Sequence, residues 1–224
     1  MSNGEFGERL NGISKIYNEN TFLLDFGWGE ELSLNKIKAF LEMQKIDVIA
    51  MVHHETSSGM LNPLEKIGNL AKLHDAMFIV DCVSSAGAEE INLEKCNIAF
   101  CSSSSSKAIG SYPGLSFVVG KTEEFENLKN LPIKSMYLSL YKFYDFIKTF
   151  SQTPNTPAVH LFYALDQALS NILSEGIQNR YVNLRDKANK LRQGMLSLGL
   201  KFVINQKDMC SILTAVYTPS NVDV

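Results

Sequence analysis

Two predicted strands in the middle of the chain each end at a residue that could do chemistry. One apolar run, residues 98–102, is followed by serines and then by Lys107, and another, residues 78–80, ends at Asp81. Because parallel strands open their carboxyl ends at the same edge of a sheet, the amine and the carboxylate are expected to face one crevice. Pyridoxal phosphate chemistry requires such a pair, a lysine that forms a Schiff base and an aspartate that keeps the pyridine nitrogen protonated. The pattern therefore predicts a pyridoxal phosphate site with Lys107 catalytic and Asp81 binding the cofactor.

Each of these two residues also has an ordinary structural explanation. A single lysine after a strand is usually a solvated loop residue, and burial of Lys107 among small side chains would change that, because desolvation lowers the pKa of an amine and makes it nucleophilic. An aspartate such as Asp81, at the end of a strand and before Ser84 and Ser85, most often forms a turn or caps a helix. The sequence alone leaves both explanations open.

A third polar segment, HHETSSG at residues 53–59, follows the predicted strand that ends at Val52. Its hydroxyls and its carboxylate could contact a ring hydroxyl of a cofactor or could satisfy their own loop. His53 and His54 are adjacent on a strand and point to opposite faces, so they are poor joint metal ligands. We therefore predict no metal site.

The composition excludes several classes of function. The chain has 224 residues, of which 21 are basic and 24 acidic, with a net charge of −3. This balance gives no basis for binding nucleic acid or an anionic membrane surface. No apolar run approaches the roughly 20 residues that cross a bilayer, and the N-terminus lacks the features of a secretory signal. The four cysteines are scattered without a Cys-x-x-Cys pair, which indicates reduced thiols and predicts a cytoplasmic protein.

Apolar runs of strand length alternate with helical periodicity, which predicts an α/β fold with a mostly parallel sheet covered by helices. The predicted strands are residues 21–26, 47–52, 77–82, 97–102, 116–120, 201–204 and 211–217. The predicted helices are residues 5–17, 33–43, 63–74, 122–130, 138–150, 156–173 and 178–198. The helix over 138–150 is strongly aromatic and is expected to have a buried face. We predict a large cofactor-binding domain over 1–175, a hinge at 174–176, and the start of a small domain over 176–224.

Four motifs in order, MVHHETSSGMLNP (51–63), FIVDCVSS (78–85), SSSSSK (102–107) and PGLSF (113–117), resemble class V pyridoxal-phosphate-dependent aminotransferases. Within that class the sequence is most similar to the 2-aminoethylphosphonate–pyruvate transaminases, followed by the alanine–glyoxylate and serine–pyruvate transaminases. The similarity covers nearly the whole chain. It implies aminotransferase fold type I, a mostly parallel sheet sandwiched by helices, with an incomplete small α/β domain.

The resemblance also implies a role for each matching residue. Lys107 would form the Schiff base and carry a proton between the substrate and the cofactor, and Asp81 would pair with the pyridinium nitrogen. Phe6 and Val83 would cover the two faces of the cofactor ring, and Thr56 would approach the ring 3-hydroxyl.

Two further residues are expected near the cofactor phosphate. Ser106 stands where relatives often have Asn or Gln, so its contact with the phosphate is expected to be weaker. Thr156 would reach the phosphate of the partner subunit, since family members share their sites between protomers. The resemblance therefore implies a homodimer, with residues 134–140 near its interface.

Family members begin well before residue 3 and continue past residue 224. The resemblance implies that a Gly-rich phosphate-binding turn and an arginine for the substrate carboxylate lie outside this chain. The isolated chain is therefore expected to bind pyridoxal phosphate weakly. The implied reaction moves an amino group from a small donor, 2-aminoethylphosphonate, to a 2-oxo acid, pyruvate, giving phosphonoacetaldehyde and alanine. The alternatives are an alanine–glyoxylate or serine–pyruvate transaminase and a catalytically inactive fragment or partner subunit.

Overall fold

The computed structural model describes residues 1–220 and residue 222. The six strands in this part of the chain are β1 (Val48–Val52), β2 (His54–Glu55), β3 (Met60–Leu61), β4 (Met77–Asp81), β5 (Ile98–Ser104) and β6 (Ser116–Gly120). The seven α-helices are α1 (Glu5–Tyr17), α2 (Leu34–Met43), α3 (Leu64–Leu73), α4 (Thr122–Asn127), α5 (Leu140–Phe150), α6 (Val159–Glu175) and α7 (Ile177–Ser197). Short 3₁₀ turns follow at Leu128–Asn130 and Gln206–Asp208. None of these helices is long and apolar enough to cross a membrane.

The main sheet has four strands in the order β1-β4-β5-β6. The first three are parallel, and β6 runs antiparallel to β5. Asp81 at the end of β4 is in register with Val52 of β1 and Ser102 of β5. The loops that follow these three strands therefore begin at one edge of the sheet. The predicted α/β class with a mostly parallel sheet is confirmed.

The main core lies where α2 and α3 pack on the sheet. Ile67, Phe78, Val80 and Ile98 are fully or almost fully buried there. Residues 98–101 of β5 are all buried, as in a parallel strand that is covered on both faces and therefore appears as a continuous apolar run. Gly68 of α3 allows this helix to approach closely, because a Cβ at its position would lie 1.7 Å from the carbonyl oxygen of Cys96. All four cysteines are buried and unpaired, including Cys82 directly after β4 and Cys101 in the neighbouring strand β5.

Three predicted strands are wrong. Residues 21–26 form only a single bridge, between Asp25 and Ser2, and residues 201–204 and 211–217 form only the bridge between Phe202 and Val216. Their alternating apolar residues do pack inward, as Ile204 does against Met60 and Met209. A strand requires a continuous ladder with a neighbour, and these segments do not have one in the described structure.

The aromatic helix differs from its prediction in two respects. It begins at Leu140 rather than 138, and none of its residues is fully buried. Phe125 of α4 stacks on Tyr144 with ring centroids 5.3 Å apart, but Ile147 and Phe150 are each 56% exposed. The expected buried face is therefore wrong for this chain by itself, because the helix packs mainly against α4 and the turn after it, and its side chains are at most partly buried.

In the predicted hinge segment, α6 ends at the residue where α7 begins. Gly176, with φ of 81°, both ends α6 and begins α7. A left-handed residue at this point is usually glycine, since it has no Cβ to clash. The segment after α7 returns to the first part of the chain, where the Cys210 N–H donates to the carbonyl of Gly59 at 3.0 Å. The domain boundary at 176 stays a prediction.

Candidate active site

The loops that follow β1, β4 and β5 meet at a cavity of about 380 Å³. The cavity is lined by His54, Thr56, Ser84, Lys107, Ala108, Arg180, Leu184, Ile212 and Leu213. Its polar lining comes mainly from the three strand ends, and its apolar lining comes from α7 and the segment after it. Two cationic side chains and no carboxylate are among these lining residues.

The loop that carries Lys107 is fixed at its base by Ser105. The buried hydroxyl of Ser105 donates to the carbonyl of Tyr112 at 2.6 Å, and its N–H donates to the carbonyl of Leu115 at 3.1 Å. The Gly110 N–H closes the turn by donating to the Lys107 carbonyl at 2.9 Å. The side chain of Lys107 itself is exposed at the cavity rim. The structure therefore gives the amine access to the cavity but does not bury it.

Asp81 lies at the end of β4 and is partly buried. Its Oδ1 accepts a hydrogen bond from the Val83 N–H at 2.8 Å, so the turn-forming explanation holds. Burial raises the pKa of its carboxyl, the nearby Glu55 carboxylate acts in the same direction, and the Val83 N–H opposes both. Asp81 does not line the cavity that contains Lys107.

The carboxylate of Glu55 holds the first turn of α1. This fully buried side chain accepts hydrogen bonds from the N–H groups of Phe6 at 3.3 Å and Gly7 at 3.0 Å, and from the hydroxyl of Ser57 at 2.6 Å. A carboxylate at a helix N-terminus satisfies donors that otherwise lack partners and is favoured by the helix dipole. Gly4 permits the approach, since a Cβ there would lie 2.4 Å from the Ser57 hydroxyl. The sequence left open whether the Glu55 carboxylate contacts a cofactor or satisfies donors of the protein itself, and in the structure it satisfies donors of the protein.

The two adjacent histidines are both buried, and neither is part of a metal-binding cluster among the described residues. The Nδ1 of His53 lies 2.9 Å from the hydroxyl of Ser85. Burial lowers the pKa of His53 to about 3 and that of His54 to about 4. Both rings are therefore neutral at neutral pH. Within the described chain, neither ring nitrogen of His54 has a hydrogen-bond partner, although His54 lines the cavity.

The structure brings some of the predicted site residues together and leaves others apart. Thr56 lines the same cavity as Lys107, and Val83 lies directly after Asp81. The ring of Phe6 is half-buried, with the guanidinium carbon of Arg9 4.9 Å from its centroid.

Ser106 and Thr156 do not line this cavity. Ser106 is exposed next to Lys107. Thr156 lies on a separate open hollow of about 1100 Å³ beside Phe146 and Phe162.

Two residues that fix the site did not stand out in the sequence. Ser105 was one of five consecutive serines, and nothing distinguished it from its neighbours. Arg180 lines the cavity from the first turn of α7. A cation in the first turn of a helix interacts unfavourably with the helix dipole. This unfavourable position is the one signal in the sequence that Arg180 contacts groups outside its own helix.

Comparison with known proteins places this arrangement in a family. The sequence model of the family described as aminotransferase class-V matches residues 23–219. An uncharacterized aminotransferase of Methanocaldococcus jannaschii is 33% identical over 98% of this chain and 58% of its own length. A 2-aminoethylphosphonate–pyruvate transaminase of Phocaeicola vulgatus is 30% identical over 98% of this chain and 61% of its own length.

The solved structures agree with the sequence comparison. The alanine–glyoxylate aminotransferase of Nostoc sp. superposes with a TM-score of 0.92 and 28% identity, covering 99% of this chain and 59% of its own. The fold is thus the aminotransferase fold, and the predicted resemblance is confirmed. The chain belongs to the class V aminotransferase family. It spans about 60% of the length of these relatives.

Proposed function

We propose that the protein is a pyridoxal-phosphate-dependent aminotransferase in which Lys107 carries the cofactor. The observation that carries this proposal is the geometry of two neighbouring strands. β5 leads to Lys107 at the rim of a cavity, and β4, its parallel neighbour, ends at the partly buried carboxylate of Asp81. An amine and a carboxylate at the same edge of a parallel sheet are the two groups that this cofactor requires.

The chemistry of Asp81 fits the pyridine nitrogen of the cofactor. Its pKa is raised by burial, and among the described residues no lysine, arginine or histidine forms an ion pair with it. A buried carboxylate without a cation is costly, and a protonated ring nitrogen would supply that cation. The hydrogen bond from the Val83 N–H would hold the carboxylate in a fixed orientation.

The other site residues have proposed roles around the ring. Phe6, whose backbone is held by Glu55, and Val83 would cover its two faces, and Thr56 would bind its 3-hydroxyl. When bound, pyridoxal phosphate supplies an electron sink for negative charge at the substrate α-carbon. The amine of Lys107 would move the proton at that α-carbon as a general base and acid.

The phosphate group is proposed to lie near Ser106 of one subunit and Thr156 of the other, in a homodimer with shared sites. Exposed apolar side chains on residues 131–138 support such an association. Leu131, Met136 and Leu138 are all more than half exposed. An apolar patch of this kind in a protein usually marks an interaction surface.

For the substrates, we propose amino transfer from 2-aminoethylphosphonate to pyruvate. The Phocaeicola relative named for this reaction supports it. The alternative pair is alanine and glyoxylate, which the similarity to the Nostoc enzyme supports. The third candidate is a catalytically inactive fragment or partner subunit.

The test is a spectrophotometric titration of the chain with pyridoxal phosphate, followed by borohydride reduction and peptide mapping. We expect a new visible absorbance band and a pyridoxyl mass on Lys107. Lys107→Ala should lose both, whereas Lys121→Ala, a lysine at the start of α4, should retain them. A pyridoxyl mass spread over many lysines, or none at Lys107, would contradict the proposal.

The donor is tested by adding 2-aminoethylphosphonate, alanine and serine separately to the cofactor-loaded chain. We expect 2-aminoethylphosphonate to convert the bound cofactor to its amine form faster than alanine or serine does, and faster conversion by alanine or serine would contradict the proposed donor. Binding without conversion by any of the three donors would favour the inactive alternative. Because Ser106 and Thr156 do not line the cavity of Lys107, we expect the chain by itself to bind the cofactor weakly, and a submicromolar dissociation constant would contradict that expectation.

A further inference from the structure

We propose that Arg180 is a positioning residue that holds the loop of Lys107 and the loop after Asp81 in a fixed relation to helix α7. This proposal rests on the proposed function for the meaning of Lys107 and Asp81. The contacts of Arg180 can be tested without cofactor.

The guanidinium of Arg180 makes three separate contacts. Nε donates to the carbonyl of Gly87 at 2.7 Å, and Nη2 donates to the carbonyl of Ala108 at 2.6 Å. Nη1 forms an ion pair with Glu175 Oε2 at 3.0 Å. Ala108 directly follows Lys107, and Gly87 lies in the turn that follows Asp81. One side chain therefore joins both loops to the junction of α6 and α7.

The two carbonyls depend on this side chain. Among the described backbone hydrogen bonds, no N–H donates to the carbonyl of Gly87 or Ala108. Arg180 is partly buried, its side chain being 22% exposed. A polar group in such a position costs free energy when it loses its partner. Both loop conformations should therefore weaken when the guanidinium is removed.

The geometry requires an arginine rather than a lysine. A guanidinium presents several N–H groups in one rigid plane, so it can reach two carbonyls and a carboxylate at once. An ammonium is a single centre on a flexible stem and would keep at most part of this arrangement. Lysine at this position should preserve the charge in the cavity and still release one or both loops.

Glu175 holds the guanidinium in its orientation. Its carboxylate accepts from Asn183 Nδ2 at 3.1 Å as well as from Arg180. These two contacts lower the pKa of Glu175, with the hydrogen bond from Asn183 as the larger cause. The carboxylate is therefore charged at neutral pH. Since Glu175 precedes the hinge glycine Gly176, a change in the angle between α6 and α7 would act on the two loops through Arg180.

The first test is hydrogen exchange of the cofactor-free chain. The amides to follow are those of Gly110 and Ser111 in the lysine loop and of Ala88 and Glu89 in the other, all of which donate to loop carbonyls. Arg180→Gln should accelerate their exchange about ten- to hundredfold in both loops. Exchange of the amides in β1, β4 and β5 should stay unchanged.

Matched variants distinguish positioning from general destabilisation. Arg180→Lys should accelerate exchange in at least one loop, and Glu175→Gln should give a smaller increase in both. Arg185→Gln changes an exposed arginine of the same helix and should have no effect. Unchanged exchange in both loops of Arg180→Gln, or equal acceleration throughout the sheet, would overturn the proposal.

The second test follows the pH dependence of the absorbance of cofactor bound at Lys107. The pH at the midpoint of this absorbance change should shift in Arg180→Gln and Arg180→Lys but not in Arg185→Gln. An unshifted midpoint in both Arg180 variants would overturn the positioning role. If the wild-type chain forms no adduct at Lys107, the proposed function fails, and the exchange experiment still decides whether Arg180 anchors the loops.

Discussion

At the scale of single residues, the buried carboxylate of Glu55 organises the polar edge of the sheet. It binds the first turn of α1 and the hydroxyl of Ser57. It also adds to the raised pKa of Asp81. One side chain thus fixes the backbone of Phe6 and disfavours the charged form of Asp81.

The two buried histidines predict a pH-dependent stability. Their pKa values are about 3 and 4 in the folded chain, against 6.5 as the ordinary value. The unfolded state therefore binds more protons between pH 6.5 and about 4, so the free energy of unfolding falls as the pH is lowered through this window. Each histidine contributes roughly 1.4 kcal/mol per pH unit.

Chemical denaturation of the wild type and of His54→Gln from pH 7 to pH 4 measures this effect. The difference in unfolding free energy between the two proteins should change with pH, with the wild type losing more as the pH falls. His160→Gln, at an exposed position of α6, should follow the wild type. Parallel curves for the wild type and His54→Gln would show that His54 does not titrate in this way.

The sequence could identify the candidate chemistry but not the residues that hold it in place. Lys107 and Asp81 follow apolar strands and differ in type from their neighbours, so they stood out. Arg180 acts through contacts with backbone carbonyls 93 and 72 residues away, and Ser105 acts through the carbonyl of Tyr112, outside the serine run. Such contacts leave no local pattern, because a carbonyl is present at every residue.

At the scale of elements, the central strands were predictable and the outer extended segments were not. β1, β4 and β5 are nearly continuous apolar runs buried by helices, which is the pattern of an interior parallel strand. The segments at 21–26, 201–204 and 211–217 have similar apolar content, but they form only isolated bridges, Asp25 with Ser2 and Phe202 with Val216. Ladder formation depends on which segment lies alongside, and periodicity within one segment does not contain that information.

The close contact between α3 and the chain near Cys96 gives a prediction for a pair of helix glycines. Gly68→Ala should destabilise the fold by about 1–3 kcal/mol, because its Cβ would overlap the Cys96 carbonyl oxygen. Gly194→Ala in α7 should stabilise it by about 0.5–1 kcal/mol, since a Cβ there meets nothing within 4 Å.

Urea denaturation of the two alanine variants, monitored by circular dichroism, measures both effects on one scale. The decisive quantity is the sign of the difference in unfolding free energy between Gly68→Ala and Gly194→Ala. Equal stability of the two variants would mean that α3 can move away from Cys96 without cost.

At the scale of the whole molecule, the proposed homodimer predicts a concentration-dependent association through residues 131–138. The double substitution Met136→Glu with Leu138→Glu should shift the equilibrium towards monomer, because it places charge in an apolar contact. Leu73→Glu, also at an exposed leucine but at the end of α3, should leave the association unchanged.

Sedimentation equilibrium over a range of concentrations tests this association. A monomeric wild-type chain at the highest soluble concentration would contradict the dimer. So would a double variant that associates as well as Leu73→Glu.

The burial of all four thiols makes the cysteines an internal reporter of opening. A thiol-specific alkylating reagent can reach them only when the surrounding structure separates, so the intact fold should be labelled slowly and the denatured chain at once. Labelling of Cys82 and Cys101 would follow separation of the central strands, whereas labelling of Cys210 would follow release of the segment after α7. Mass spectra taken at intervals during alkylation would therefore show which part of the fold opens first.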